Sequence, residues 1–178
     1  MKPQAVLRFW FKETKPEEQF KKSKRFDAAV RRKFLKTYHE IVRGEHADWR
    51  SAPRGRLAEI IVLDQFARNM FRGKPDAFAH DSLALALAQE ALRAGADKKV
   101  PRGWRLFFYL PFMHSESKQM QKESLRLFRT LGEKRSLFYA KDHKRIIERF
   151  GRFPHRNKTL GRKSTAAEKK FMRTHKGF

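Results

Sequence analysis

The chain has 178 residues and a net charge of +24, from 43 Lys and Arg against 19 Asp and Glu. Its length suits one ordinary domain, and 17 Phe with 40% apolar residues exclude a chain too polar to bury a core. Cys is absent, which excludes a disulfide framework, a thiolate metal site and a cysteine nucleophile.

The hydrophobic period is helical almost throughout. Pro3 to Phe11 predicts a short apolar helix. Phe26, Val30, Phe34, Tyr38 and Ile41 recur at helical steps, so Asp27 to Arg43 predicts an amphipathic helix that Gly44 closes. Pro53, suited to a first turn, opens a helix to about Phe71, with Ser51 as its cap and Gly73 as its stop. Asp81 to Ala94 predicts the next, capped by Asp81 and closed by Gly95. Its Ala/Leu alternation mimics a strand, but Ala and Leu are strong helix formers.

Pro101 opens an apolar helix expected to break near Pro111. The Pro111 ring disfavours the helical conformation at Leu110, and its missing N–H removes an internal bond. Ser117 caps a helix that runs to Leu131 and stops at Gly132. Ser136 to Phe150 follows, then a loop from Gly151 to Gly161, then a short helix behind the capping-box pair Thr165 and Glu168. The expectation is an all-α fold of seven or eight helices, packed as antiparallel hairpins, in a single helical domain over residues 1–178.

Met1 to Trp10 lacks the apolar core and cleavage site of a secretory signal. The longest uncharged run, Leu106 to Ser115, is far short of the ~20 residues a membrane span needs. With the absence of Cys, these features predict a cytoplasmic protein without a membrane partner.

Charge is densest at the end of the chain. Residues 141–178 hold 13 basic and 3 acidic residues, a net of +10, against +7 in each of residues 1–50 and 51–140. Such a basic chain attracts polyanions, so nucleic acid is one partner class. Lys21, Lys22 and Lys24 read as a solvated face. Arginine among aromatic residues, as at Arg149 to Phe153, suits phosphate pairing and base stacking. No zinc-finger spacing, RNP signature or helix-turn-helix accompanies it.

Three polar constellations stand out. On the greasy helix from Pro53, the residues Arg54, Asp64, Gln65, Arg68, Asn69 and Arg72 share an arc of roughly 140° at about 100° per residue. They read either as an internal ion-pair network, with Asp64 and Arg68 four apart, or as a pocket wall. In the second reading Arg68 and Arg72 bind an anion that Gln65 and Asn69 orient. Next, His114 and Glu116 follow the proline break, as a general base with an acid partner or simply beside the Ser115 and Ser117 caps. One His and one carboxylate do not make a metal site, and there is no G-x-S-x-G elbow. Finally, Arg149, Arg152, His155, Arg156 and Asn157 share a loop segment without an acid, so they face an anion or internal carboxylates such as Asp64 and Glu116. His143, upstream, reads as an ordinary histidine.

Five blocks resemble one known family. They are Val6-Leu7-Arg8-Phe9-Trp10-Phe11, Pro53-Arg54-Gly55-Arg56-Leu57, Leu63-Asp64-Gln65-Phe66-Ala67-Arg68-Asn69, Tyr109-Leu110-Pro111-Phe112-Met113-His114-Ser115-Glu116, and Arg149 to Asn157. In order along the chain, they resemble the bacterial domain-of-unknown-function family 924. The resemblance implies an all-helical fold similar to tetratricopeptide repeats and brings no reaction, substrate or cofactor. The chain departs from the family in having Ala67 where a Pro is common, Arg8 where an acid is common, and so high a charge.

The leading expectation is a helical-repeat-like protein that binds an anionic small molecule or an acidic protein partner. Arg54, Asp64, Gln65, Arg68, Asn69, Arg72, His114, Glu116, Arg152, His155, Arg156 and Asn157 line its site. The arginines contact the anion, Gln65 and Asn69 orient it, and Asp64 and Glu116 position arginines. One alternative is a small-molecule hydrolase with His114 or His155 as base and Glu116 as partner. Another is non-specific nucleic-acid binding through the charge. The residues identify no cofactor and no metal site.

Overall fold

The structure, a computed structural model, describes residues 1–175 and 177–178. Every regular element among them is helical, as the hydrophobic period predicts. Counting π-helical turns with the helices they continue, the described residues hold nine helices, eight of them seven residues or longer. By contact the chain divides into two compact units: Met1–Arg72 with Asp76–Pro111, and Gly73–Pro75 with Phe112–Phe178. None of these helices is long and apolar enough to cross a membrane.

In the first unit, helix α1 (Pro3–Arg8) continues as a π turn over Phe9–Glu13. Helix α2 (Pro16–Gln19) leads to α3 (Lys24–Val42), which begins earlier than the apolar period because Ser23 Oγ accepts from the Phe26 amide at 3.2 Å. Helix α4 (Pro53–Ile61) runs through a second π turn, Val62–Phe66, into α5 (Ala67–Met70). Leu57, Ile60, Ile61, Val62 and Phe66 are fully buried, so this is the central helix of the unit. It packs on α1, on the 3₁₀ turn Ala47–Ser51 and on α6 (Asp81–Arg93). The face of α6 that is fully buried carries only Ala84, Ala88 and Ala91, whose small side chains allow close approach.

Two expected caps are not formed. Ser51 Oγ donates to the Asp48 carbonyl at 2.7 Å, and the residue before α4 is Ala52. Asp81 opens α6 but turns its carboxylate to Arg68, and His80 takes the cap position without a side-chain bond. In both cases the side chain found a better-placed partner than its own helix end.

The break near Pro111 is also absent. Helix α7 (Leu106–His114) contains Pro111. Phe107, Phe108, Phe112 and Met113 are at most 3% exposed, and burying each contributes about 1.5–3 kcal/mol. Together they outweigh the ~3 kcal/mol cost of an interior proline. The division between the units falls inside this helix, so no loop or composition shift marks it in the sequence.

In the second unit, α8 (Lys118–Leu131) and α9 (Lys134–Phe150) form a hairpin joined by Gly132 and Glu133. Gly132 adopts φ +75°, the left-handed turn that glycine takes without strain. Ser117 caps α8, and α9 starts at Lys134, before Ser136, because Glu133 is its first flanking residue. Ile146, Ile147 and Phe153 form a core cluster with Phe150 and Phe171. The loop after α9 contains a 3₁₀ turn, Pro154–Arg156, and the Thr165/Glu168 capping box opens α10 (Ala166–Met172).

Gly55 sits where the N-terminal turn of α4 meets the backbone of Trp49. A Cβ there would lie 2.0 Å from the Trp49 carbonyl oxygen and 2.8 Å from its carbon. Gly55→Ala is expected to lower the stability of this unit by about 3 kcal/mol, read from the urea midpoint, because neither backbone can give way cheaply.

Candidate functional site

The polar arc on the central helix is assembled around Asp64, which is 1% exposed. Arg68 donates to the Asp64 carbonyl at 2.8 Å and pairs with its carboxylate at 3.1 Å. The same guanidinium grips Asp81 through two bonds of 2.9 and 3.0 Å. Gln65 donates to Asp64 at 2.5 Å. One turn on, Asn69 donates to Asp27 at 2.8 Å, and Arg72 makes two bonds to Asp27 at 2.6 and 2.8 Å. Burial alone would push the Arg68 pKa down, but Asp64 and Asp81 raise it. Five residues of the proposed anion wall therefore form a network in two parts: Gln65, Asp64 and Arg68 tie the central helix to Asp81 of α6, and Asn69 and Arg72 tie it to Asp27 of α3.

Arg54 lies apart from that network. It is exposed, with its guanidinium 5.7 Å from the centre of the Trp104 ring. It lines a surface depression of about 470 Å³ with Trp49, Pro53, Gly55 and Lys99.

In the second unit, Glu116 accepts from the Phe153 amide at 2.8 Å and from Arg162 at 2.6 and 2.9 Å. Burial tends to raise its pKa, but Arg162 and the amide outweigh this and hold it below the usual carboxylate value. An acid held ionised in this way is a clamp on the loop and is poorly suited to donate a proton in hydrolysis. Arg162 also donates to Asn157 at 3.0 Å. Arg152 makes two bonds to Glu168, at 2.7 and 2.9 Å, and Asn157 donates to Glu168 at 3.3 Å. Arg152 drives the Glu168 pKa down to about 2 despite burial. The sequence reading missed Arg162, although its acid-poor surroundings made it a natural partner for Glu116.

His114 and Arg156 meet at one end of this unit. Arg156 donates to the His114 carbonyl at 3.1 Å and lies 4.5 Å over the Phe153 ring. The His114 ring centre is 6.2 Å from that of His143. His143 is 5% exposed, donates from Nδ1 to the Tyr139 carbonyl at 2.8 Å, and stacks on Phe178 at 3.6 Å. An imidazole facing a carbonyl must donate, which fixes the Nδ1–H tautomer. His155 packs against Phe153 and Phe178. Burial, then the nearby His114, pushes the His143 pKa well below 6.5. Among the described residues no group of three His, Asp or Glu could hold a metal ion.

The charge of this unit is its other distinctive property. It contains 20 basic and 6 acidic residues. Five of the acids pair with a base: Glu116 with Arg162, Glu123 with Arg126, Asp142 with Arg145, Glu148 with Lys144 and Glu168 with Arg152. Lys134, Arg135, Lys141, Lys158, Lys169, Lys170 and Arg173 are exposed and make no ion pair among the described residues. The exposed face of α9 also carries Phe138, 66% exposed, and Tyr139, 39% exposed. The signal for Phe138 was present in the sequence, since it falls between Lys134 and Lys141 on the polar side of the predicted helix, whereas Tyr139 falls between Ile146 and Phe150 on the apolar side.

The family described as "Bacterial protein of unknown function (DUF924)" matches residues 6–176. The chain is also similar to a solved structure of the protein of unknown function ATU0120 from Agrobacterium tumefaciens. The two share 38% identity over 97% of each chain, with a TM-score of 0.93. No curated protein matches the chain.

Two expectations follow from this geometry. Arg68→Met leaves Asp64 buried without its countercharge, so the first unit should lose about 3–5 kcal/mol in urea unfolding. In the second, buried His143 takes up a proton less readily folded than unfolded. Stability is therefore full well above about pH 6.5 and falls as pH drops through that value toward about 5.5, a window above the ordinary carboxylate range. The urea midpoint followed across that window should show the fall, and His143→Phe should flatten it.

Proposed function

The chain belongs to the DUF924 family of bacterial proteins, and from the geometry of its C-terminal unit we propose that it is a binding protein for a polyanionic partner. The observation that carries this reading is the charge left over after internal pairing. Five of six carboxylates in the unit are paired, while thirteen exposed cations, Lys134, Arg135 and Lys141 of α9 among them, have no ion pair among the described residues. Exposed like charges repel one another, and a partner rich in phosphate or carboxylate relieves that repulsion by releasing its counterions. The anion contacts foreseen at Arg68, Arg72 and Arg152 are met by internal acids, so the surface lysines and arginines supply the binding charge.

The test is binding of a labelled duplex DNA of about twelve base pairs at several salt concentrations. Neutralising about five phosphates should give a log–log salt slope of about −4.5. Lys134→Glu with Lys141→Glu should weaken binding at least tenfold, and Lys21→Glu with Lys22→Glu in the first unit should leave it nearly unchanged. Equal weakening by both pairs, or no binding at about 50 mM salt, would overturn the reading.

A further inference from the structure

We infer that the outer face of α9 is a platform for single-stranded nucleic acid, with bases stacked on Phe138 and Tyr139 and phosphates along Lys134, Arg135, Lys141 and Arg149. This rests on the polyanion reading and specifies its occupant. Lys134, Phe138, Lys141 and Arg149 follow one another at 4, 3 and 8 residues, so at about 100° per residue they share an arc of roughly 80°. The stripe is about 22 Å long, with its first three positions about one turn apart. Phe138 thus has a cation one turn before it and another one turn after it.

The two rings are placed for this role. Phe138 is 66% exposed and Tyr139 is 39% exposed. Their centres are 5.7 Å apart at 76°, an edge-to-face contact that fixes an aromatic corner on the surface. Tyr139 also meets Phe178 at 6.4 Å, and Phe178 stacks on buried His143, so the corner is braced from beneath. Aromatic rings set among cations bind single strands because every unpaired base offers a π face and every linkage a phosphate. A duplex offers the phosphates but keeps its base faces stacked.

Charge decides against the other occupants. A second copy of this chain would bring another +24 against the same stripe. A lipid surface favours a continuous apolar stripe facing outward. On α9 the aliphatic side is the buried one, with Ala140, Ile146 and Ile147 at most 1% exposed.

The experiment is fluorescence anisotropy on the full chain with four probes: a labelled 12-nucleotide RNA, the matching single-stranded DNA, a duplex DNA, and anionic vesicles by co-sedimentation. Wild type, Phe138→Ala, Phe138→Trp and Lys134→Glu/Lys141→Glu are compared. Phe138→Ala should weaken both single strands about tenfold and the duplex less than twofold, and Phe138→Trp should keep wild-type affinity. With about four phosphates neutralised, the single-strand salt slope should be about −3. If Phe138→Ala binds single strands like wild type while the lysine variant loses every probe, the stacking platform is refuted and the polyanion reading survives. If no nucleic-acid probe binds, both fall. Binding to vesicles alone also overturns the platform.

Discussion

Carboxylates are the scarce component of this molecule, and its buried polar architecture follows from where they are placed. Glu59, Asp64 and Glu168 are each at most 2% exposed, and each holds an arginine. A buried carboxylate is costly to desolvate, and only a close, well-aligned cation with further hydrogen bonds offsets that cost. Arginine meets the requirement because its planar fork makes two bonds to one carboxylate. Asp64 fixes Arg68, Arg68 reaches Asp81 on α6, and Asp27 on α3 takes Asn69 and Arg72. The central helix is thereby joined to two neighbours by ion pairs as well as by packing.

The same scarcity shapes the surface. In the second unit Glu116 and Glu168 are drawn into pairs that close the loop after α9 and brace α10, and three more acids pair within α8 and α9, which leaves little negative charge to balance the exposed lysines. The internal clamps and the electropositive exterior thus have one origin. Phe138 and Tyr139 lie in that exterior without contributing to the core, which is why their exposure has meaning beyond the ordinary scatter of apolar side chains at a surface.

The family blocks acquire physical reasons in this light. The glycine of Pro53-Arg54-Gly55-Arg56 is a close-approach residue against the Trp49 backbone. Asp64, Gln65 and Arg68 share one ion-pair network, and Asn69 joins Arg72 at Asp27. Glu116, Arg152 and Asn157 belong to a second network completed by Arg162 and Glu168. Those residues stabilise the fold. The exposed cations of α9, with Phe138 and Tyr139, lie largely outside them.

The sequence by itself determined the helices, because a period of 3.6 residues needs no knowledge of neighbours. It also determined the caps at Ser117 and Thr165, whose hydroxyls accept from amides three residues on, and the pairing of Asp64 with Arg68 one turn on. Only the tertiary structure decided the rest. Whether Arg72 and Arg152 bind a ligand or an internal acid depended on Asp27, 45 positions from Arg72, and Glu168, 16 positions from Arg152. Whether Pro111 breaks its helix depended on how completely its neighbours are buried. Local periodicity fixes which residues share a face, but only packing fixes what that face meets, and the energies that settle a buried charge or an interior proline come from that contact.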